Sequence, residues 1–374
     1  MRHYLDANAS EPLRPEARAA LDAALAAPGN PASVHADGRA ARRRLEDARE
    51  TTAAAFGASP ANVVFTSGAT EANALALHAL APGRQVVLGA TEHDSVLAAV
   101  PGARRLPVDR DGVADLDALA ALLADGPMLV ALMAANNETG TLQPIAAAAA
   151  LCRRFGAWLH VDAVQAAGRE KIDLAALGAH SLALSGHKLG GPMGAGALLL
   201  GPEAPAPRPL IPGGGQERGW RAGTPPLAAI AGFAAAVRAA ARADAGEPDR
   251  LAGLRATIEQ AAIGAGAVVC GAGAARLANT TCLALPGVRA DAQVIALDLA
   301  GIAVSAGAAC SSGKVAASHV LAAMGLGPLA SQAIRVSLPW NATAADAAAF
   351  AAAYPAIAAR LRGALAPAEM APAA

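Results

Sequence analysis

The sequence WLHVDAVQ, residues 158–165, begins with a short apolar run and ends on polar side chains. Similar apolar runs occur on both sides of it: VVF at 63–65, VVL at 86–88, MLVALM at 128–133, SLALS at 181–185 and ALLL at 197–200. Helical patterns separate several of these runs, at 71–80, 116–123 and 145–155. Buried strands that alternate with helices are typical of a mostly parallel sheet covered by helices. The sequence therefore predicts an α/β fold.

The length of 374 residues exceeds the usual single domain of about 100–200 residues, so we expect two domains. A Pro/Gly-dense stretch at 201–219 predicts an extended loop, because proline lacks the backbone donor that helices and central strands need. The polar stretch ADAGEPDR at 243–250 marks the expected boundary. We predict a large domain at 15–243, and a smaller α/β domain made of 1–14 and 244–365. The Ala/Pro-rich residues 366–374 are expected to form a disordered tail.

Charge and hydropathy exclude several classes of partner. Thirty basic residues balance thirty acidic ones, so no long-range field would attract nucleic acid or an anionic membrane surface. The hydrophobic share of 54% is largely alanine, and no window offers the roughly 20 strongly apolar residues of a membrane span. The N-terminus MRHYLDANAS lacks the apolar core of a secretory signal, so we expect a cytoplasmic protein.

Lys188 follows the apolar run 181–185 and stands beside the glycine-rich stretch LGGPMGAG. Burying an ammonium group is costly, so such a lysine either has a partner or has a lowered pKa that allows it to form a Schiff base. A surface lysine at the start of a loop is an equally good interpretation of this residue alone.

Two further candidates follow other apolar runs. Asp162, with Gln165 three residues later, ends a run at the position where ligands enter open α/β sheets. A carboxylate there could keep a pyridine nitrogen protonated, but it could also cap a helix. His93, in TEHDS, could stack on such a ring and pass protons, or it could be an ordinary loop histidine.

Anion-binding groups are also visible. The stretch TSGAT at 66–70 passes from a strand into a helix whose free amides could hold a phosphate, although Ser-Gly is also an ordinary helix cap. Arg335, in AIRVSLPW, could hold a carboxylate through two hydrogen bonds.

The four cysteines show neither the CxxC spacing of zinc and disulfide-exchange sites nor any other metal motif, so no metal is expected. We interpret Cys152, Cys270 and Cys282 as buried apolar residues. Cys310 differs because it lies among small residues in SAGAACSSGK, where we expect a loop and an accessible thiol.

Together these stretches resemble the cysteine desulfurases, class-V aminotransferase relatives among the fold-type-I pyridoxal-phosphate (PLP) enzymes. The resemblance runs from Tyr4 to about Trp340 and depends on the order and spacing of many stretches. They are YLDANAS, GNPASVHADGR, VFTSGATEANALAL, TEHDSVL, NNETGTLQPI, HVDAVQAAG, SLALSGHKLGGPMGAGAL, GGGQERGWRAGT and VSAGAACSSG.

The resemblance implies a PLP cofactor and a role for each matching residue. Lys188 would bind the cofactor covalently and later remove the Cα proton of L-cysteine, and Cys310 would take the substrate sulfur as a persulfide while L-alanine leaves. The remaining cofactor ligands would be Asp162 at the pyridine nitrogen, Gln165 at the ring hydroxyl, His93 stacked on the ring, and Ala69, Thr70, Ser185 and His187 at the phosphate. Asn137 and Arg335 would hold the substrate carboxylate.

The resemblance also implies partners. Thr224, in the RAGT motif, would complete the phosphate site of a second subunit, so a homodimer is expected. The spacing from Cys310 to SHVLAAMG at 318–325 resembles that of the long-loop group, which passes sulfur to a scaffold protein for iron–sulfur cluster or thiocofactor assembly. A selenocysteine lyase or another fold-type-I aminotransferase or lyase is the main alternative, and a non-catalytic scaffold is a more distant one. A mobile thiol near the substrate favours the desulfurase.

Overall fold

The computed structural model describes residues 2–307 and 317–363, and the elements below are those of these two ranges. The strands are β1 His3–Tyr4, β2 Val63–Thr66, β3 Gln85–Gly89, β4 Arg104–Leu106, β5 Met128–Met133, β6 Trp158–Asp162, β7 Ser181–Ser185, β8 Gly196–Leu200, β9 Val268–Cys270, β10 Thr280–Ala284, β11 Ile302–Ala303, β12 Ser305–Ala306 and β13 Ala333–Ser337. The helices are α1 Pro15–Leu25, α2 Ala36–Ala55, α3 Ala69–Leu80, α4 Asp94–Leu97, α5 Leu116–Leu123, α6 Ile145–Arg154, α7 Leu174–Leu177, α8 Leu227–Ala241, α9 Glu247–Gly264, α10 Ala290–Leu299, α11 His319–Ala323 and α12 Ala344–Gly363.

The central sheet has seven strands in the order β2-β8-β7-β6-β5-β3-β4. Strand β8 is antiparallel to both of its neighbours, and the other pairs are parallel. Strands β5, β7 and β8 are buried along their whole length, since helices cover both faces of the sheet, which explains why the sequence reads there as continuous, mostly apolar runs. The predicted α/β fold with a mostly parallel sheet is confirmed.

A second, smaller sheet lies later in the chain, with the order β12-β13-β10-β9 and antiparallel pairing throughout. The N-terminal strand β1 pairs with β11 beside it. Helices α9, α10 and α12 pack together around a separate apolar core that includes Leu283, Phe350 and Tyr354. The N-terminal residues thus join the C-terminal part of the chain, as the predicted domain division requires, but its limits at 14/15 and 243/244 stay a prediction.

The polar stretch 243–250 is not a loop throughout. Helix α9 begins within it at Glu247, and Pro248 lies in the first turn, where a helix loses nothing through the missing N–H. The stretch 201–219 contains no α-helix or strand, apart from a short 3-10 turn at Gln216–Gly219. No helix in the described ranges is long and apolar enough to span a bilayer. The tail expected at 366–374 lies outside those ranges.

Six strands of the central sheet point their carboxyl ends to one edge. Strands β3 to β7 run parallel, and β2 has the same direction because it is separated from β7 by the single antiparallel strand β8. In open α/β sheets ligands bind at this edge. The residues at the ends of these six strands are therefore the first place to look for a functional site.

Candidate active site

A cavity of about 620 Å³ lies at this carboxyl edge. It is lined by residues that follow β2, β3, β5, β6 and β7, together with residues from the N-terminus and from β13. Ten of the predicted site residues line it: Ala69, Thr70, His93, Asn137, Asp162, Gln165, Ser185, His187, Lys188 and Arg335. Residues that are up to 266 positions apart in the sequence thus share one space.

Asp162 is the last residue of β6, and its side chain is held at two points. Oδ1 accepts a hydrogen bond from the backbone N–H of Val164 at 3.0 Å, and Oδ2 accepts one from Nδ2 of Asn73 at 2.8 Å. The first bond is the local cap-like contact that the sequence allowed as an alternative. The second comes from the buried face of α3 and fixes the carboxylate against the helix.

A second carboxyl group, that of Glu92, is completely buried behind Asp162. Its Oε1 accepts the backbone N–H of Met133 at 2.6 Å, and its Oε2 has no hydrogen-bond partner among the described residues. Burial raises the pKa of Glu92 well above its usual range, and the charge of Asp162 adds to the effect. Burial thus favours the neutral form of the Glu92 carboxyl group.

His93 follows Glu92 and precedes the short helix α4. Its Nδ1 accepts the backbone N–H of Ser95 at 3.1 Å and lies 2.9 Å from Oγ of the same residue. These contacts fix the orientation of the ring at the wall of the cavity.

Lys188 lies in a 3-10 turn just after β7. Its Nζ donates hydrogen bonds to the backbone oxygens of Asn8 and Ala9, the second at 3.1 Å. The oxygen of Asn8 also accepts Nε2 of Gln165 at 3.1 Å. The N-terminal stretch YLDANAS therefore forms part of the wall around the lysine, and Lys188 is not the exposed surface residue that the sequence left open.

The other end of the cavity suits an anion. Helix α3 begins at Ala69 and no side chain caps it, so the amides of its first turn face the cavity lining. Ser185 and His187 lie beside it, and Nδ1 of His187 is buried without a partner in the described part of the chain. Burial and the nearby Lys188 charge lower the pKa of His187 to about 4, so its imidazole is neutral at pH 7.

Arg335, on β13, brings a cation from the small sheet to the same cavity. Nη2 lies 2.8 Å from Oδ1 of Asp6, and Nη1 donates to the backbone oxygen of Asn137 at 3.1 Å. Nε is buried and finds no partner within the described ranges. The guanidinium group is thus fixed in direction and retains an unused donor.

Two predicted residues are not brought into the cavity. Thr224 is exposed and lies away from it in this single chain. Cys310 lies outside the described residues. The other three cysteines are buried free thiols, as expected.

Sequence reasoning missed several residues that shape the site, chiefly Asn8, Asn73 and Glu92. Asn73 gave a usable signal, since it is a polar residue on the face of α3 that carries Ala72, Leu75 and Ala76 into the core. Asn8 gave none, because its role depends on the return of the N-terminus to the sheet edge.

Comparison with known proteins gives the family. The aminotransferase class-V family model matches residues 3–350. A cysteine desulfurase from Cereibacter sphaeroides is 42% identical over 362 residues, which cover 92% of each chain. The X-ray structure of a NifS-like protein from Rickettsia africae ESF-5 has a TM-score of 0.88 and 33% identity, over 96% of this chain and 99% of that one. A structure of SspA in complex with cysteine has a TM-score of 0.75 and 27% identity, over 90% and 99% of the two chains.

The matched structures share the fold predicted from the sequence, that of the fold-type-I enzymes. The chain belongs to the aminotransferase class-V family, and within it to the cysteine desulfurases. The resemblance described from the sequence motifs is thereby confirmed.

Proposed function

We propose that this protein is a PLP-dependent cysteine desulfurase, which converts L-cysteine to L-alanine and transfers the sulfur to Cys310. The observation that carries the proposal is the cavity at the carboxyl edge, where Lys188, Asp162, His93 and Arg335 meet. Membership of the family and the cysteine desulfurase relative support the same reaction.

The donor set of the cavity fits a phosphorylated pyridine. The uncapped start of α3, together with Ser185 and the unpartnered Nδ1 of His187, offers donors to a phosphate group. A Cβ built at Gly68 would approach only Oγ of Ser185, at 3.8 Å, so the turn before α3 leaves room for an anion. Lys188 is an amine, Asp162 a carboxylate and His93 a flat ring, which are the groups needed around the pyridine.

In the proposed arrangement Lys188 would hold the cofactor through its amine, Asp162 would pair with the ring nitrogen, and Gln165 would bond the ring hydroxyl. His93 would lie against the ring. Ala69, Thr70, Ser185 and His187 would hold the phosphate group, together with Thr224 of a second subunit. When bound, the cofactor supplies an electron sink for the charge that develops at the substrate Cα. The Asp162 carboxylate favours the protonated ring nitrogen on which that sink depends.

The chain's own groups then act on the amino acid. Arg335, held by Asp6, would orient the substrate carboxylate, with Asn137 beside it. Lys188 would remove the proton from Cα, and His93 would assist in proton transfer. Cys310 as a thiolate would attack the substrate sulfur, so that the sulfur–sulfur bond forms as the carbon–sulfur bond breaks. The enzyme keeps a persulfide, and protonation of the carbon releases L-alanine.

Further features belong to the same proposal. We propose that the protein acts in the cytoplasm as a homodimer, because Thr224 is exposed and lies apart from the cavity of its own chain. A protein acceptor, such as an iron–sulfur scaffold, would receive the persulfide sulfur. The division into a large domain at 15–243 and a small domain at 1–14 and 244–365 remains part of the proposal.

Two substitutions test the assigned chemistry. Cys310→Ala should retain the yellow colour of bound cofactor and lose persulfide formation from L-cysteine, whereas Lys188→Ala should lose normal turnover altogether. Alanine release and sulfide formation in the presence of a reductant measure both effects. Cys152→Ala is the matched control, because this buried thiol lies outside the cavity and should leave turnover unchanged. Full sulfur transfer by the Cys310 variant would refute the nucleophile.

A further inference from the structure

Glu138 is a buried carboxylate that belongs to none of the roles proposed above. It lies in the turn after β5, its exposed fraction is 2%, and it does not line the cavity. A hydrogen bond from Oγ of Ser318 reaches its Oε2 over 2.6 Å. A buried carboxylate is costly unless it is hydrogen-bonded, so this contact is a fixed part of the fold.

The same oxygen of Glu138 is packed against Gly307. A Cβ built on Gly307 would collide with Oε2 of Glu138, so the backbone at 307 approaches the carboxylate more closely than any other residue type would allow. Gly307 itself lines the cavity. One carboxylate thus touches both residue 307 and residue 318, although eleven positions separate them in the chain.

Ser318 is in turn fixed to the segment that precedes β13. Its backbone N–H donates to the oxygen of Ala330 at 2.8 Å, and its Oγ accepts the N–H of Leu321 at 3.0 Å, which caps α11. The next residue, His319, lies with Nε2 3.0 Å from the backbone oxygen of Glu92, directly before His93. The chain at 318–319 is therefore joined to two turns of the large sheet.

Cys310 is three residues after Gly307 and eight before Ser318. Three residues of chain span at most about 11 Å, so the position of Gly307 sets how far from the cavity wall the thiol can be. Nucleophilic attack needs the reacting atoms about 3–3.5 Å apart, and misplacement by 1 Å can cost roughly 100-fold in rate. The position of Gly307 therefore limits where Cys310 can lie relative to the cavity.

We propose that Glu138 is a positioning residue for sulfur transfer. It holds Gly307 and Ser318 together and so sets the position of both ends of the segment that carries Cys310. The proposal rests on the proposed desulfurase function. Glu138 does not touch the substrate, and it acts through the two chain ends that it joins.

Two variants of Glu138 distinguish the loss of its hydrogen-bond acceptor from a change in the space that its side chain fills. Glu138→Gln retains a carbonyl oxygen that can accept from Ser318, whereas Glu138→Met is similar in length and offers only a weak sulfur acceptor. Ser318→Ala removes the other partner and also uncaps α11. The double variant Glu138→Met/Ser318→Ala completes a double-mutant cycle. The loss of the α11 cap accompanies Ser318→Ala both in wild type and in Glu138→Met, so it cancels when the two effects of Ser318→Ala are compared.

Three measurements are made on the holoenzyme variants. The first is kcat and KM for alanine formation from L-cysteine. The second is exchange of the Cα hydrogen of L-alanine in D2O, which needs Lys188 but no thiol. The third is the rate of Cys310 alkylation by iodoacetamide, followed by mass spectrometry.

We expect Glu138→Met to lower kcat for desulfuration by roughly 10- to 100-fold. Its KM and its L-alanine exchange should stay within about threefold of wild type, because the substrate still meets Arg335 and Lys188. The alkylation rate of Cys310 should change in Glu138→Met and return towards wild type in Glu138→Gln. Ser318→Ala should add little to Glu138→Met.

Other results would overturn the inference. A Glu138→Met enzyme with wild-type kcat and wild-type alkylation would exclude a positioning role, and an equal loss of exchange and of kcat would indicate general damage to the fold. If the wild-type protein releases no alanine from L-cysteine, the proposed function fails, and alkylation still decides whether Glu138 controls the placement of Cys310.

Discussion

Asn73 donates a hydrogen bond from Nδ2 to Oδ2 of Asp162 over 2.8 Å. Its Oδ1 lies 2.9 Å from Nε2 of His160, and Nδ1 of His160 lies 2.7 Å from Oγ of Ser181. Burial lowers the pKa of His160 to about 3, so the imidazole is neutral and carries one N–H. That N–H is on Nε2, because the Asn73 oxygen faces it. A chain of three neutral groups thus ends on the Asp162 carboxylate.

The amide of Asn73 can be tested through stability. Asn73→Leu keeps the branched shape and the number of side-chain heavy atoms but leaves Oδ2 of Asp162 and Nε2 of His160 without this partner, which should cost about 1–3 kcal/mol for each buried group left unsatisfied. The measurement is the free energy of unfolding by urea. Ser95→Ala is the control, because it removes the partly buried bond from Asn73 to Oγ of Ser95 and the contact of that oxygen with His93, but leaves the bonds of Asn73 to Asp162 and His160 in place. Equal losses in the two variants would contradict a special role for the amide.

The loop that carries Thr224 is fixed by a buried ion pair between Arg49 and Glu217. Both side chains are 3% exposed, and two parallel bonds of 2.8 Å join them. Oε2 of Glu217 also accepts the backbone N–H of Phe65 at 2.8 Å, just before the anion-binding turn. Glu217 adopts a φ of 44°, a region that non-glycine residues rarely enter, so these contacts hold the loop in a strained conformation.

Removal of one partner from this pair should be strongly destabilising. Glu217→Ala removes the carboxylate that is bonded to both Nη atoms of the buried Arg49, and leaves Glu46, 3.1 Å from Nε, as the remaining carboxylate beside this charge. We expect a loss of about 3–5 kcal/mol in the free energy of unfolding. The double variant Arg49→Met/Glu217→Leu should recover part of this loss, because no buried charge remains. Thermal and urea unfolding of wild type, Glu217→Ala and the double variant measure these differences in stability. A double variant less stable than Glu217→Ala would show that the charges themselves are needed.

The sequence predicted the inner strands of the central sheet well. Strands β5, β6 and β7 occupy the predicted residues because each is a short, buried run made mostly of apolar residues. Strand β4 was missed, since only Leu106 of its three residues is buried and two arginines precede it. Helix α12 was missed as well, because Pro355 lies inside it and alanine gives little periodic contrast.

The site residues that could be predicted from the sequence are those that lie at or just after the end of a recognisable strand. Asp162 is the last residue of β6 and Lys188 lies three residues after β7, so their place at the carboxyl edge follows from the fold class. Asn8 and Glu138 could not be predicted in this way. Their contacts with Lys188 and Ser318 join residues 180 positions apart, and no local pattern encodes such a distance.

The buried His160 predicts how stability depends on pH. Its pKa falls from 6.5 to about 3 on folding, so the unfolded chain binds a proton below pH 6.5 that the folded chain does not bind. This contribution to stability is complete above pH 6.5 and is lost as the pH falls from 6.5 towards 3. The expected slope is about 1.4 kcal/mol per pH unit.

A matched variant isolates this histidine from other groups. His160→Gln cannot titrate, and its amide can still donate to Asn73. Glu92 contributes a pH dependence of the opposite sign, because its raised carboxyl pKa favours the folded state as the pH falls. This contribution is the same in wild type and variant, so it does not affect the difference between them. The gap in unfolding free energy between wild type and variant should therefore shrink between pH 7.5 and pH 5.5. A gap that is constant with pH would contradict the buried, neutral imidazole.

The exposed position of Thr224 leads to the prediction that each active site of a homodimer contains residues from both chains. If Thr224 holds the phosphate of the partner's site, as proposed, Thr224→Glu would place a negative charge against it, and Lys188→Ala would remove the proposed cofactor-binding amine, so each homodimer should be inactive. In a heterodimer of the two variants, one site would combine both substitutions and the other would be intact. Two affinity tags on co-expressed chains allow this heterodimer to be purified, and alanine release should return to about half of the wild-type rate, as expected for one working site of two. If Thr224 instead served the cavity of its own chain, each site of the heterodimer would carry one substitution and no activity would return.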